Sequence, residues 1–291
     1  MGDHVEIGIG IPNTVTGATG DQLLEWARRA EEAGFSSLAT IGAVAHPGYE
    51  ELTVFAAAAA VTERIRFFSN VLISPARSTA ELAKQAATVD QISGGRLTLG
   101  LGVGWREADF QLTGRDFSSR GKAFDQQLRD LRTAFEGKEI VPGTRPVAPA
   151  PVQSPLPILI GGTTDATLRR IAKQDVQGWT AGGMPPDQVA EWAGRIRKAW
   201  TDAGREGAPR LAALRYFGLG DEERSKDYLR YYYAFMGDET AEWIAGSAFR
   251  TPEAIEEAVA AYAETGIDEL ILDPTLSDPD EVKKLAEVAL G

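Results

Sequence analysis

The sequence predicts an α/β fold: a single (β/α)8 TIM barrel spanning residues 1–291 as one domain. Insertions are expected after strands 4 and 7, and a proline-rich excursion before strand 5. Three observations predict it. Short apolar runs alternate with helical apolar stripes along the chain, and regular alternation implies a parallel sheet covered by helices. The count of these units is close to eight, which favours a closed barrel over an open doubly wound sheet. Two joints also share one pattern, Glu32-Ala33-Gly34-Phe35 with Leu38 and Glu264-Thr265-Gly266-Ile267 with Leu270, each leading a helix through glycine into a strand.

Taken in order, Val5–Ile11 reads as a first strand ended by Pro12-Asn13. Thr19 and Gln22 form a capping box before a helix whose stripe is Leu23, Leu24, Ala27 and Ala30, closed by Gly34. Phe35–Ile41 is the second strand, followed by the loop Gly42–Tyr49. A helix from Glu50 to Val61 leads to strand Ile65–Ile73. Ser78-Thr79-Ala80-Glu81 repeats the capping pattern, before a helix expected to bury Leu82, Ala86, Val89 and Ile92. Trp105–Ser119 is a polar and aromatic insertion leading to a helix near Arg120–Phe135, and Gly137–Pro157 is the proline-rich excursion. Strand Ile158–Ile160, a helix carrying Leu168 and Ile171, and strand Gly178–Ala181 follow. Pro186 opens a helix with Val189, Trp192, Ala193, Ile196 and Trp200 on its apolar side. Strand Leu211–Leu219 precedes the tyrosine-rich insertion Asp221–Phe249. A helix from Thr251 to Gly266, strand Glu269–Asp273 and a last helix from Asp280 complete the chain.

The stretch Ser93–Phe110, S-G-G-R-L-T-L-G-L-G-V-G-W-R-E-A-D-F, alternates so that Leu97, Leu99, Leu101 and Val103 share one face and Thr98, Gly100, Gly102 and Gly104 the other. A bare strand face costs stability, so either a ligand or a close-packed neighbour must lie against it.

Composition narrows the function. The chain is 43% hydrophobic and 25% charged, as a soluble globular protein is. Its net charge of −12 argues against nucleic acid as the main partner. With no cysteine and only His4 and His46 as histidines, thiolate chemistry, disulfides and a histidine-rich metal site are excluded, and no metal is expected. Neither a secretory signal nor a membrane span is visible, so a cytoplasmic protein is expected.

In a barrel, functional groups sit at the C-terminal ends of the strands. There Gly161-Gly162-Thr163-Thr164 joins a strand to a helix, a place where backbone amides converge on a phosphate; the plainer alternative is a capped turn. Gly182-Gly183-Met184 offers the same chemistry with less support. Gly100–Gly104 does not fit a dinucleotide-binding fingerprint, because its spacing is G-x-G-x-G. His46 is the one histidine on such a loop and the candidate acid or base, against the plainer alternative of a surface residue. Arg77 is placed to meet an anion or a carboxylate. Arg106, Glu107 and Asp109 would line the mouth or be solvated. The tyrosines would cover a pocket, form a subunit contact or simply pack.

Together these motifs resemble the luciferase-like flavin-dependent oxidoreductases. The resemblance is carried by S-N-V-L-I-S-P-A-R, by L-A-K-Q-A-A-T-V-D-Q-I-S-G-G-R-L-T-L-G-L-G-V-G-W-R-E-A-D-F, by I-L-I-G-G-T-T and by G-I-D-E-L-I-L-D-P. It implies a barrel that binds reduced flavin mononucleotide (FMN) or the 8-hydroxy-5-deazaflavin coenzyme F-420 at its C-terminal mouth, for monooxygenation or hydride transfer. It also implies a bulge with a non-proline cis peptide at Asn70-Val71 beneath the ring. Gly104 and Trp105 would flank the ring, and Gly161, Gly162 and Thr163 would hold the phosphate; Gly182 and Gly183 stand as cofactor-binding candidates on their own loop chemistry. Two departures stand out. Gly42-Ala43 occupies the place of a polar pair found in many relatives, and Val103 that of a phosphate-binding arginine. The expected partners are a small-molecule substrate, a separate flavin reductase if oxygen is used, and further copies of the chain in a homodimer or higher oligomer. Two alternatives remain: a barrel enzyme for a phosphorylated metabolite, and a family member without catalysis.

Overall fold

The computed structural model describes residues 5–291. Eight parallel strands pair in sequence order and close into a barrel: β1 (Glu6–Gly10), β2 (Ser37–Thr40), β3 (Arg66–Ile73), β4 (Leu97–Gly102), β5 (Ile158–Gly161), β6 (Gly178–Ala181), β7 (Arg210–Phe217) and β8 (Glu269–Pro274). Around it run α1 (Gly20–Ala33), α2 (Glu51–Ala59), α3 (Thr79–Ser93), α5 (Arg120–Phe135), α6 (Asp165–Lys173), α7 (Pro186–Asp202), α10 (Pro252–Ala263) and α11 (Asp280–Ala289). The insertion after β4 contains a short helix, α4 (Glu107–Thr113). The insertion after β7 folds as α8 (Glu222–Tyr233), a 3-10 turn and α9 (Asp238–Gly246).

Strand alternation divides the core in two. Ile9, Leu38, Phe67, Leu97, Leu99 and Leu101 point outward and pack under the helices. Ala39, Phe68, Leu159, Leu214 and Ile271 fill the barrel with the α8 side chains Tyr228, Leu229 and Tyr232. The lower end is a polar plug, where buried Glu269 accepts hydrogen bonds at 2.6 Å from Ser36, Ser37 and Arg210.

The predicted capping box at Thr19 forms, with both reciprocal bonds to Gln22, and Gly34 ends α1 in the left-handed conformation. Two local expectations need correction. Ser78 stands at the N-cap of α3, but its side chain caps nothing. Ile92 is 51% exposed rather than buried. The inner face of α3 carries Asp90 instead, whose carboxylate accepts from the Val152 and Gln153 amides at 2.7 and 3.0 Å and clamps the proline-rich excursion to the helix. That contact is remote from the mouth, because Gln153 also reaches the carbonyl of Leu97 at the start of β4.

Candidate active site

The mouth is organised by β3. Its pairing with β4 shifts between Ser69 and Leu72, and the Asn70–Val71 peptide within the shift is cis. Asn70 is buried; its Oδ1 accepts from Thr180 Oγ1 of β6 across the barrel at 2.9 Å, and its Nδ2 has no partner among the described residues. Val71 is half-buried.

The bare face of β4 is explained by this strand. A Cβ at Gly100 would strike the Ser69 carbonyl and come within 2.8 Å of the Phe68 ring, and one at Gly102 would lie 2.7 Å from a Val71 methyl. Close packing against the bulge therefore requires both glycines. Gly104 has φ +77°, and its missing side chain would meet Ile73 at 2.5 Å and Phe110 at 3.3 Å. That side of Gly104 is filled by protein, so only its backbone is offered to a ligand.

The other predicted cofactor residues gather along one arc of the rim, at the ends of β3 to β6. Trp105 is 73% exposed. Gly161 is half-buried against Val71, and Gly162 and Thr163 are exposed just ahead of α6, which Thr164 caps through the Thr167 amide. Gly182 and Gly183 are exposed, with nothing within 4 Å of where their side chains would begin.

His46 lies apart from this arc. Its Nε2 is 3.1 Å from the Thr14 carbonyl, and its ring packs against Tyr231 and Tyr232 with centroids 5.2 and 4.7 Å away. Burial lowers its pKa, which favours the neutral ring at pH 7. The tyrosines of α8 close the mouth over β7, β8, β1 and β2. Tyr228 bonds Thr14 at 2.6 Å, Tyr233 bonds Tyr216 at 2.6 Å, and Tyr232 donates to the Gly42 carbonyl at 3.1 Å. Beneath them Asp273 is buried with its Oδ1 unpaired among the described residues, and burial raises its pKa well above the carboxylate range.

Of the charged trio after β4, Arg106 and Asp109 are buried and only Glu107 is exposed. Arg106 donates to the Tyr232 carbonyl at 2.8 Å and lies over the Phe235 ring at 4.2 Å. Asp109 accepts from the Ala45 amide at 2.7 Å, joining α4 to the His46 loop.

A cavity of about 490 Å³ opens beside this joint, lined by His46, Tyr49, Glu50, Glu51, Arg77 and Arg115 among others. A smaller one of about 220 Å³ lies between His46, Arg106, Tyr232 and Phe235. Arg77 meets two carboxylates, Glu50 at 2.7 Å and Glu51. Neither glutamate stands out in the sequence, where both read as the start of a helix. Gly42, at the place of the polar pair, has its side-chain space taken by the Glu51 carboxylate and, at 2.7 Å, the Val71 carbonyl.

A closed barrel with a polar, partly covered C-terminal mouth defines an enzyme scaffold. The chain belongs to the luciferase-like monooxygenase family, a family of oxidoreductases, and the match runs over residues 5–287. An uncharacterised protein of Mycobacterium tuberculosis is 34% identical over 209 residues, 62% of this chain and 71% of that protein. Among solved structures, the monooxygenase RslO1 from Streptomyces bottropensis superposes with a TM-score of 0.78 at 22% identity, covering 98% of this chain and 99% of that one. An F420-dependent secondary alcohol dehydrogenase superposes with a TM-score of 0.76 at 15% identity, covering 98% of each chain. At these identities the two structures speak for the fold alone. No helix among the described residues is long and apolar enough to cross a membrane, and no group of three or more His, Cys, Asp or Glu among them could hold a metal.

Proposed function

We propose that this protein binds a reduced flavin-type cofactor, FMN in the first place, on the β3–β6 arc of the mouth, and oxidises or reduces a small organic substrate held in the adjoining cavity. The observation that carries the reading is the buried, unpaired Nδ2 of Asn70. An unpaired buried donor costs about 1–3 kcal/mol, and a planar heterocycle with acceptors on its edge would satisfy it. Val71 offers that ring an apolar seat and Trp105 an exposed aromatic flank. Gly162, Thr163 and the first turn of α6 present backbone amides suited to a phosphate. The open space at Gly182 and Gly183 leaves room beside it.

When bound, such a cofactor supplies a hydride or, with oxygen and a partner reductase, an oxygen atom. The chain's own part is to seat the ring, exclude water with the α8 tyrosines and manage protons. His46 borders both cavities and, as a neutral ring, is suited to accept or relay one. The deazaflavin coenzyme is the second reading. Val103, at the expected place of a phosphate-binding arginine, is half-buried against the apolar core. Fluorescence titration with FMN and coenzyme F-420, each oxidised and reduced, is the test. Tight binding of one is expected and chooses between them. Binding of neither refutes the reading.

A further inference from the structure

We propose that Glu51 is the catalytic acid–base group, exchanging a proton with an O–H or N–H of the substrate in the 490 Å³ cavity. The proposal rests on the reading that this cavity is the substrate site of a cofactor-dependent oxidoreductase. Its geometric basis is independent of that reading.

Glu51 is the first residue of α2, and its side chain is 5% exposed where it borders the cavity. Oε2 is held by Arg77. No other described residue donates to Oε1, which lies where a side chain on Gly42 would begin, a place also next to the Val71 carbonyl. Glu51 thus borders the cavity, while its Oε1 lies on the side of Gly42 that also faces the Val71 carbonyl of the bulge. A glycine at 42 makes room for it.

The charges sort themselves. Arg77 is a single guanidinium shared by two carboxylates. Glu50 is partly desolvated, but the Thr53 hydroxyl and amide together with Arg77 hold its pKa low, so it stays ionised and balances the arginine. Glu51 is the second carboxylate, and burial raises its pKa to about 7 against the pull of Arg77, with Glu50 adding to the rise. Two neighbouring carboxyls pushed apart in this way mark an ionised partner and a group that carries the mobile proton. The other charged or titratable groups facing the cavity are His46, Tyr49, Glu81 and Arg115, and Tyr232 lies behind Gly42. In the forward direction the substrate O–H or N–H bond breaks and its electron pair stays on the heteroatom. The proton forms a new O–H bond at Oε1. The reverse direction returns it.

The test is chemical labelling of the full chain with a small apolar carbodiimide, which reacts with protonated carboxyls that it can reach, followed by peptide mass spectrometry. Labelling of Glu51 below about pH 7, fading above it with a midpoint near 7, is expected. A purely structural ion pair, ionised and sealed, would not label between pH 5 and 8, and that result overturns the proposal. In turnover, Glu51→Gln is expected to lower kcat by about 10²- to 10⁴-fold and to remove the pH-profile limb near 7. Its melting temperature and cofactor affinity should stay close to those of the parent. A folded Glu51→Gln variant with undiminished kcat also overturns the proposal, while leaving the cofactor reading intact. Failure of the chain to bind either cofactor overturns that reading and the catalytic role together, whatever the labelling shows.

Discussion

Asp273→Asn isolates the energetic consequence of the polar floor under the mouth. Asp273 ends its side chain inside the barrel against Gly10, where any side chain would collide with the carboxyl. Burial alone raises its pKa well above the ordinary 3.8. The folded state therefore keeps a proton that the unfolded state releases once the pH passes about 4. With the unfolded state binding fewer protons, stability falls as pH rises, by about 1.36 kcal/mol per unit for as long as the folded carboxyl stays protonated. Asparagine is isosteric and has no such proton to hold. Between pH 4.5 and 6.5 the variant should gain on the parent as the pH rises, at about 1.36 kcal/mol per unit for as long as the folded carboxyl keeps its proton. At the acidic end it should start at a disadvantage, since the second amide hydrogen needs a partner and its absence costs about 1–3 kcal/mol. The two stability curves are thus expected to converge or cross as the pH rises. Urea denaturation at half-unit pH steps, with m-values compared, measures the difference directly. A difference that stays constant across this window would show that Asp273 has the same protonation in both states and would refute the reasoning.

Three further variants test exposure and packing. Trp105→Ala removes an aromatic that is 73% exposed, so stability should change by less than about 0.5 kcal/mol. Cofactor affinity should fall about five- to tenfold through lost stacking, as read by thermal melts and fluorescence titration; unchanged affinity would move the ring elsewhere. Gly100→Ala should cost about 3 kcal/mol or more, because its methyl must displace the Ser69 carbonyl and the Phe68 ring. Gly182→Ala, with open space around it, should stay within about 0.5 kcal/mol. Equal urea midpoints for the two glycine variants would contradict the packing account of the β4 face.

What the sequence made legible follows the range of the interactions. The alternation of Leu97, Leu99 and Leu101 with Thr98, Gly100 and Gly102 placed β4 and divided its faces correctly, since side-chain direction in a strand is local. Gly104, read as part of the same face, lies beyond the strand at φ +77°. Why the glycine face is bare was not legible, because its neighbours, Ser69 and Val71, belong to another strand and approach only through a shifted register. The same limit hid Ile92. Its spacing fits a buried stripe, yet Asp90 took the inner side of α3 to hold Val152 and Gln153, some sixty residues later in the chain. Helix α4 was hidden in an insertion whose short apolar content gave no period. Among the candidate site residues, Asn70, Trp105, Gly162 and Gly182 fall along one rim because barrel topology puts the strand ends there. Glu51 was missed because a glutamate in the first turn of a helix is ordinary, and only the fold shows Arg77 and Gly42 beside it.

The two insertions determine which part of that rim is usable. After β7 the chain lays α8 over β7, β8, β1 and β2, and its tyrosines anchor to Thr14, Gly42 and Tyr216. After β4 it forms α4, and Arg106 fastens that helix to the carbonyl of Tyr232 while Asp109 holds the Ala45 amide. Both insertions are thereby bound to each other and to the His46 loop. None of these bonds reaches the ends of β5 or β6, where the glycine loops stay exposed. The barrel alone would leave an eightfold mouth with equivalent openings. The insertions break that equivalence, covering one half with tyrosines and leaving the arc from β3 to β6 open, and the cavity bordered by His46 and Glu51 lies next to the joint between them. In the proposed reading the rigid strands set the position of the chemistry, and the choice of substrate falls to the segments that the barrel does not need for its own closure.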